Sequence, residues 1–124
     1  FGAALASKAH ALLVEAYGNG FGSVPALFDE WWSTTLHDSE FDTALCFCAT
    51  RGETLVGFEL CWTSAFVKDL VVHPGHRGQG IGEALLRTAF HIFRERGARA
   101  VSLKVRPDNM EARRLYARVG FRKG

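Results

Sequence analysis

The chain has 124 residues, which fit one domain, so we expect a single domain over residues 1–124. Hydrophobic residues make up 48% of it and charged residues 23%, a composition that supports a packed core and argues against disorder. The formal net charge of +2 is too small to favour nucleic acid or membrane partners. No apolar run approaches the roughly 20 residues that span a bilayer, and no stretch has the pattern of a signal peptide.

Three cysteines, Cys46, Cys48 and Cys61, give no disulfide framework because their number is odd. A metal site would need further ligands near them in the sequence, and none is evident. We therefore expect reduced core cysteines, no metal and a cytoplasmic location.

The first third of the chain carries two helical patterns. Apolar residues at helical spacing predict a first helix over residues 7–17, which Gly18 can end. After a glycine-rich break, Ser23 as N-cap and Pro25 in the first turn are typical of the start of a second helix. The apolar stripe of that helix consists of Phe28, Trp31, Trp32 and Thr35.

The rest of the chain alternates strand and helix patterns. The predicted strands cover residues 42–50 and 54–63, which form a hairpin, then residues 66–72 and 100–105. A long helix is predicted over residues 80–96, and Asp108 with Glu111 forms a plausible capping pair for a last helix. A helix between two strands implies a parallel pair, whereas the hairpin is antiparallel. We therefore expect an α/β fold with a mixed central sheet flanked by helices.

The loop before the long helix holds glycines at positions 78, 80 and 82. Glycines let the backbone approach an anion, and the helix start offers N–H groups and a positive dipole end. Arg77 adds a cation suited to phosphate. A Walker loop would need Gly-Lys-Ser/Thr here, and a dinucleotide fingerprint would need another glycine spacing. The pattern favours a pyrophosphate ligand over a glycine loop that binds nothing.

Two blocks of sequence carry a family resemblance. Arg77-Gly78-Gln79-Gly80-Ile81-Gly82, preceded by Asp69-Leu70-Val71-Val72-His73-Pro74, resembles the acetyl-CoA-binding motif of the GNAT superfamily of N-acetyltransferases. The second block is Asn109, Ala112, Leu115-Tyr116 and Gly120-Phe121, and it lies at the expected separation. The resemblance covers roughly residues 53–121. It implies a GNAT-like mixed sheet, here without the first and last strands of the full fold, and acetyl-CoA as co-substrate without a metal.

The resemblance also implies individual roles. Backbone groups of residues 70–72 would pair with the pantetheine arm, and amides from Gly78 to Glu83 would hold the pyrophosphate. Asn109 would hydrogen-bond the coenzyme, and Tyr116 would protonate the departing thiolate. The implied coenzyme-binding set is Leu70, Val71, Val72, Arg77, Gly78, Gln79, Gly80, Ile81, Gly82, Glu83 and Asn109. From the residues alone, Tyr116 is equally a core tyrosine and Asn109 equally a helix-start residue.

The general base is not defined by the resemblance. Relatives that acetylate ribosomal protein N-termini carry a glutamate where this chain has Lys104, which argues against the same mechanism here. Glu59 on the hairpin and Asp69 on the third strand are the candidate catalytic bases, directly or through water. Each is also explained as a surface or paired carboxylate. Lys68 neighbours Asp69, but we expect it on the other face of the sheet.

The acceptor is specified least. Aromatic and acidic side chains within residues 27–32 and 37–40 suit a cationic amine, or they form a packed tryptophan pair with solvated acids. We expect acetyl transfer from acetyl-CoA to the primary amine of a small molecule by direct attack on the thioester. The alternatives are acetylation of a protein N-terminus or lysine, and a non-catalytic acyl-CoA-binding domain. We also expect a longer natural chain or a second chain, as in a homodimer, to complete the sheet.

Overall fold

A mixed sheet of four strands forms the centre of the structure, a computed structural model that describes residues 1–18 and 24–122. The strands lie in the order β1-β2-β3-β4. The first two pairs are antiparallel and β3 pairs with β4 in parallel, which confirms the predicted mixed sheet. The strands are β1 (Cys46–Arg51), β2 (Thr54–Trp62), β3 (Phe66–Val72) and β4 (Ser102–Leu103).

Four α-helices cover the two faces of this sheet. One core joins α1 and α2 to Phe58 and Leu60 of β2, and the other joins α3 and α4 to the neighbouring Cys61. Because side chains alternate along a strand, these two cores lie on opposite faces. None of the helices within residues 1–18 and 24–122 is long and apolar enough to cross a membrane. The helices are α1 (Ala3–Tyr17), α2 (Phe28–Leu36), α3 (Ile81–Glu95) and α4 (Met110–Arg118).

A bulge in β3 shapes the centre of the sheet. Leu60 pairs with Asp69 and the next residue of β2 pairs with Val67, so Lys68 is the extra residue. The bulge breaks the alternation of side chains, and Lys68 Nζ lies 3.8 Å from Asp69 Oδ1. The expectation that these two side chains point to opposite faces was therefore wrong.

The fourth strand is much shorter than the predicted range of residues 100–105. Pairing with β3 is limited to Phe66 with Ser102 and Val67 with Leu103. Beyond the bulge the two strands diverge, so Lys104 and Val105 have no strand partner on β3. Strand propensity alone could not locate this divergence, because it depends on the neighbouring strand.

Three local predictions in the first half needed correction. Helix α1 begins at Ala3 rather than at residue 7. Pro25 precedes α2, whose first residue is Phe28, and the Pro25 carbonyl instead accepts a hydrogen bond from His10 Nε2 at 2.7 Å. The predicted first strand starts late, because Thr43–Leu45 is a 3-10 turn capped by Asp42. The predicted N-cap Ser23 lies outside the described residues.

The cap of α4 is Asn109 and not the predicted Asp108. The Asn109 side chain accepts a hydrogen bond from the Ala112 N–H at 3.2 Å. Asp108 forms an ion pair with Arg106 at 3.2 Å instead. The predicted capping pair was thus placed one residue too early.

Candidate active site

A cleft of about 870 Å³ opens where β3 and β4 diverge. The C-terminal end of α1, the glycine-rich loop, the start of α3, residues 103–107 and α4 all contribute to its walls. Because strands that separate leave backbone groups without a ladder partner, the cleft has polar backbone beside its apolar and charged side chains. Such an opening suits a long flexible ligand that runs between the strands.

The glycine-rich loop forms one end of this cleft. Gly78 and Gly80 have φ angles of 76° and 80°, a left-handed conformation that favours glycine. Gly80 is the N-cap of α3 and provides no side-chain cap, so the N–H groups of the first turn remain for an external acceptor. Gln79 accepts a hydrogen bond from Arg51 Nη2 at 2.9 Å, which ties the loop to the hairpin. The loop therefore has the backbone conformation that an anion site at a helix N-terminus requires.

Close packing holds the start of α3 against α4. A Cβ added at Gly82 would lie 3.1 Å from Leu115 Cδ2, so a larger residue there would push the two helices apart. Glu83 follows in the first turn, and its carboxylate pairs with Arg87 at 3.1 Å and Arg118 at 3.2 Å. The hydrogen bonds from Arg87 and Arg118 lower the pKa of Glu83. Its negative charge is thus balanced at the site where an anion would bind.

The β3 edge carries the three residues predicted to pair with the pantetheine arm. Leu70, Val71 and Val72 all line the cleft. These three residues pair with β2 on one edge, but the ladder to β4 stops at Val67, so their other edge borders the opening. Arg77 Nε donates to the Val72 carbonyl oxygen at 3.4 Å, and Arg77 also lines the cleft.

Cationic side chains dominate the charge of the cleft. Six Lys or Arg residues line it against two acids, Glu83 and Glu111. This excess fits a ligand with several phosphate charges better than it fits a cation. The six are Lys68, Arg77, Lys104, Arg106, Arg114 and Arg118.

Tyr116 and Asn109 face the cleft from α4 and its cap. The Tyr116 ring packs edge-on against Phe121 at 5.7 Å, and no residue in 1–18 or 24–122 hydrogen-bonds its hydroxyl. Burial raises the pKa of Tyr116 to about 12, so the hydroxyl keeps its proton near neutral pH. Asn109 uses its side-chain oxygen as the helix cap, which leaves its amide N–H groups as donors.

Glu59 is fully buried in β2 on the face that α3 and α4 cover. Neither of its carboxylate oxygens has a hydrogen-bond partner in the part of the chain that the structure describes. Burial raises the pKa of Glu59 to about 8. Near pH 7 this carboxyl is therefore mostly protonated, a poor state for a base.

Asp69 is also buried, but it has partners. The Tyr17 hydroxyl donates a hydrogen bond to Asp69 Oδ1, and Lys68 Nζ lies 3.8 Å from the same oxygen. Burial raises the pKa of Asp69, and the charge of Lys68 and the bond from Tyr17 oppose that rise. Sequence reasoning missed Tyr17, because nothing in the helical pattern of α1 links it to a strand that lies far along the chain.

The aromatic and acidic segments proposed for the acceptor do not line the cleft. Trp31 is buried, and Trp32 packs on Phe28 and Phe41 in the core beneath α1 and α2. The acids Asp29 and Glu30 are exposed. Here the structure agrees with the alternative of a packed tryptophan pair beside solvated acids.

Comparison with known sequences decides the family. The sequence profile of the acetyltransferase (GNAT) family matches residues 8–121. The chain belongs to this family. The GNAT match includes the glycine-rich loop, the diverging strands and α4.

Relatives of this GNAT chain act on different acceptors. A streptothricin acetyltransferase from Streptomyces lavendulae is 43% identical over 72 residues, 54% of this chain and 38% of that protein. A mycothiol acetyltransferase from Streptomyces scabiei is 38% identical over 88 residues, 65% of this chain and 28% of that protein. The chain therefore spans less than half the length of these two relatives.

A solved structure with a similar fold is the ribosomal-protein-S18-alanine N-acetyltransferase from Escherichia coli. The TM-score is 0.76 at 21% identity, and the match covers 100% of this chain and 76% of that one. At this identity the similarity shows the fold alone. It confirms the predicted GNAT-like arrangement of a mixed sheet flanked by helices.

Proposed function

We propose that this GNAT chain is an N-acetyltransferase that uses acetyl-CoA to acetylate the primary amine of a small molecule. The observation that carries the proposal is the cleft between diverging strands that ends at the uncapped start of α3. The relatives named for streptothricin and mycothiol support a small acceptor. Residues 1–124 form the acetyltransferase domain in this proposal.

The donor site follows from the cleft walls. Amides from Gly78 to Glu83 hold the pyrophosphate, and Arg77 adds charge at the same end. Backbone groups of residues 70–72 pair with the pantetheine arm as a strand would. An amide N–H of Asn109 donates to the coenzyme near that arm. The excess of cations in the cleft supports a ligand with several phosphates.

The reaction needs one proton acceptor and one proton donor. Acetyl-CoA supplies the activated acetyl group as a thioester. Tyr116 serves as the donor to the departing thiolate, supported by a protonated hydroxyl at the cleft wall. Asp69 serves as the base in preference to Glu59, because Asp69 is linked by a hydrogen bond to Tyr17 in the cleft wall, whereas neither Glu59 oxygen has a hydrogen-bond partner in the described residues. A backbone N–H of β3 stabilises the negative charge that develops on the carbonyl oxygen.

Thiol release from acetyl-CoA tests this proposal directly. We expect purified protein to release thiol with one or more members of a panel of small amines, and not with peptides that carry free N-termini or lysines. Turnover with peptides alone would favour a protein acceptor. Coenzyme binding without turnover on any amine would favour the non-catalytic acyl-CoA-binding domain.

A matched pair of glycine variants tests the coenzyme site separately. Gly80 and Gly97 flank the two ends of α3, both with left-handed φ angles of 80° and 84° and both with open space around an added Cβ. Gly80→Ala and Gly97→Ala should each lower stability by about 1 kcal/mol through backbone strain. By calorimetry, only Gly80→Ala should weaken acetyl-CoA binding, by about tenfold or more, because it strains the anion loop. Equal affinities in the two variants would contradict the assigned site.

A further inference from the structure

The chain contains two tyrosines, and both line the same cleft. Tyr116 reaches it from α4 on one face of the sheet, and Tyr17 reaches it from the end of α1 on the other face. The carboxyl that acts most on the pKa of Tyr116 is Glu59, and the carboxyl that acts on the pKa of Tyr17 is Asp69. The proposed reaction assigns a role to Tyr116 and leaves Tyr17 without one.

Tyr17 stands between the cleft and Asp69. Its hydroxyl donates to Asp69 Oδ1, and its side chain is part of the cleft wall, whereas Asp69 is not. Asp69 is 5% exposed, so an amine in the cleft meets the phenol before the carboxylate. A hydroxyl that donates one hydrogen bond keeps lone pairs that can accept another.

We propose that Tyr17 contacts the acceptor amine and passes its proton to Asp69. The inference rests on the proposed acetyl transfer. The Tyr17 oxygen takes a proton from the bound ammonium while the Tyr17 hydroxyl proton moves to Asp69 Oδ1. The free amine then attacks the thioester carbon, so that the C–N bond forms and the C–S bond breaks. Tyr116 gives its proton to the departing thiolate and regains one from the new amide nitrogen, so Asp69 alone ends with one proton more and loses it to solvent.

The surroundings of the pair support a transfer in which both protons move together. Burial raises the pKa of Tyr17 far above its ordinary value, so a free phenolate is not an accessible state. Burial also raises the pKa of Asp69, but the charge of Lys68 and the hydrogen bond from Tyr17 lower it and favour the carboxylate form that accepts the proton. The other titratable groups that act on the pair are Lys68 on β3, Cys61 on β2 and Tyr116 on α4.

Matched variants of the two tyrosines test the inference. Tyr17→Phe and Tyr116→Phe each remove one hydroxyl and keep the ring, and turnover is measured with acetyl-CoA and the best small amine. Tyr17→Phe should lower kcat about 100-fold at neutral pH, with unchanged coenzyme affinity. The kcat deficit of Tyr17→Phe should shrink at pH values above the pKa of the amine, because the amine there is already deprotonated and needs no proton acceptor before it attacks. The deficit of Tyr116→Phe should persist, because the thiolate must still be protonated.

A double variant shows whether Tyr17 and Asp69 act as one unit. Tyr17→Phe combined with Asp69→Asn should be no slower than the slower single variant. If a thermal melt shows that Tyr17→Phe folds poorly, Asp69→Asn tests the relay by itself, because its amide oxygen still accepts the hydrogen bond from Tyr17. The kcat deficit of Asp69→Asn should likewise shrink above the pKa of the amine.

The outcomes separate this inference from the proposed function. Two results would overturn the role of Tyr17 alone, provided that the wild-type protein acetylates an amine. In the first, Tyr17→Phe is fully active. In the second, the kcat deficit of Tyr17→Phe is equal at every pH. Additive losses in the double variant overturn it as well. A wild-type protein that acetylates no amine overturns the proposed function, and the role of Tyr17 falls with it.

Discussion

Two buried carboxyls on neighbouring strands differ in their partners. Asp69 on β3 receives a hydrogen bond from Tyr17 and lies 3.8 Å from the charge of Lys68. Glu59 on β2 is buried without a hydrogen-bond partner within the described ranges. Burial raises the pKa of both groups, but only Asp69 has neighbours that oppose the rise. Burial alone therefore does not distinguish the two carboxyls, whereas their hydrogen-bond and charge partners do.

Replacing Asp69 should have the largest effect. Asp69→Asn keeps the size of the side chain and removes the proton acceptor, so kcat should fall about 100-fold at neutral pH. Steady-state thiol release measures this loss, and Asp29→Asn on the exposed face of α2 is the control. Wild-type turnover in Asp69→Asn would show that Asp69 is a structural carboxylate.

Replacing Glu59 should change stability more than chemistry. An unfolded Glu59 titrates near 4.5 and the folded one near 8, so between these values the folded state binds more protons and stability falls as pH rises. Glu59→Gln removes this fall, and its free energy of unfolding near pH 7 should exceed that of the wild type by about 3 kcal/mol.

Denaturant unfolding at several pH values measures that difference. Glu53→Gln in the exposed hairpin turn is the control and should keep the wild-type pH dependence. If Glu59→Gln is less stable than the wild type at neutral pH, Glu59 is a charged group with an important partner, and the contrast with Asp69 disappears.

Removing the charge of Lys68 should have the smallest effect. Lys68 lowers the pKa of Asp69, so Lys68→Met should shift the rising limb of the kcat against pH profile to higher pH. The Lys68 side chain is 44% exposed, so the free energy of unfolding should change by less than about 0.5 kcal/mol. Lys8→Met, a remote control, should leave the profile unchanged. If the rising limb does not shift in Lys68→Met, the charge of Lys68 does not act on the group that this limb reports.

Local sequence was sufficient for much of the fold. The predicted third strand matches β3 at both ends, and the predicted long helix differs from α3 by one residue at each end. Both have strong local signals, the period of their apolar residues and the glycines or proline that flank them. The capping residue of α4 was missed because competing caps one residue apart look alike in sequence. The start of β1 was missed because the 3-10 turn Thr43–Leu45 occupies the first predicted residues of the strand.

The candidate site divides in the same way. Glycine spacing alone was sufficient to predict the conformation of the glycine-rich loop, because a left-handed backbone and a bare helix start are local properties of Gly78 and Gly80. The tertiary structure alone decided the partners of the carboxyls, since Tyr17 lies 52 residues before Asp69 in the chain. The bulge at Lys68 and the divergence of β4 likewise depend on how neighbouring strands pair. Hydrogen bonds and burial between distant residues exist only once the sheet has formed, so no local pattern encodes them.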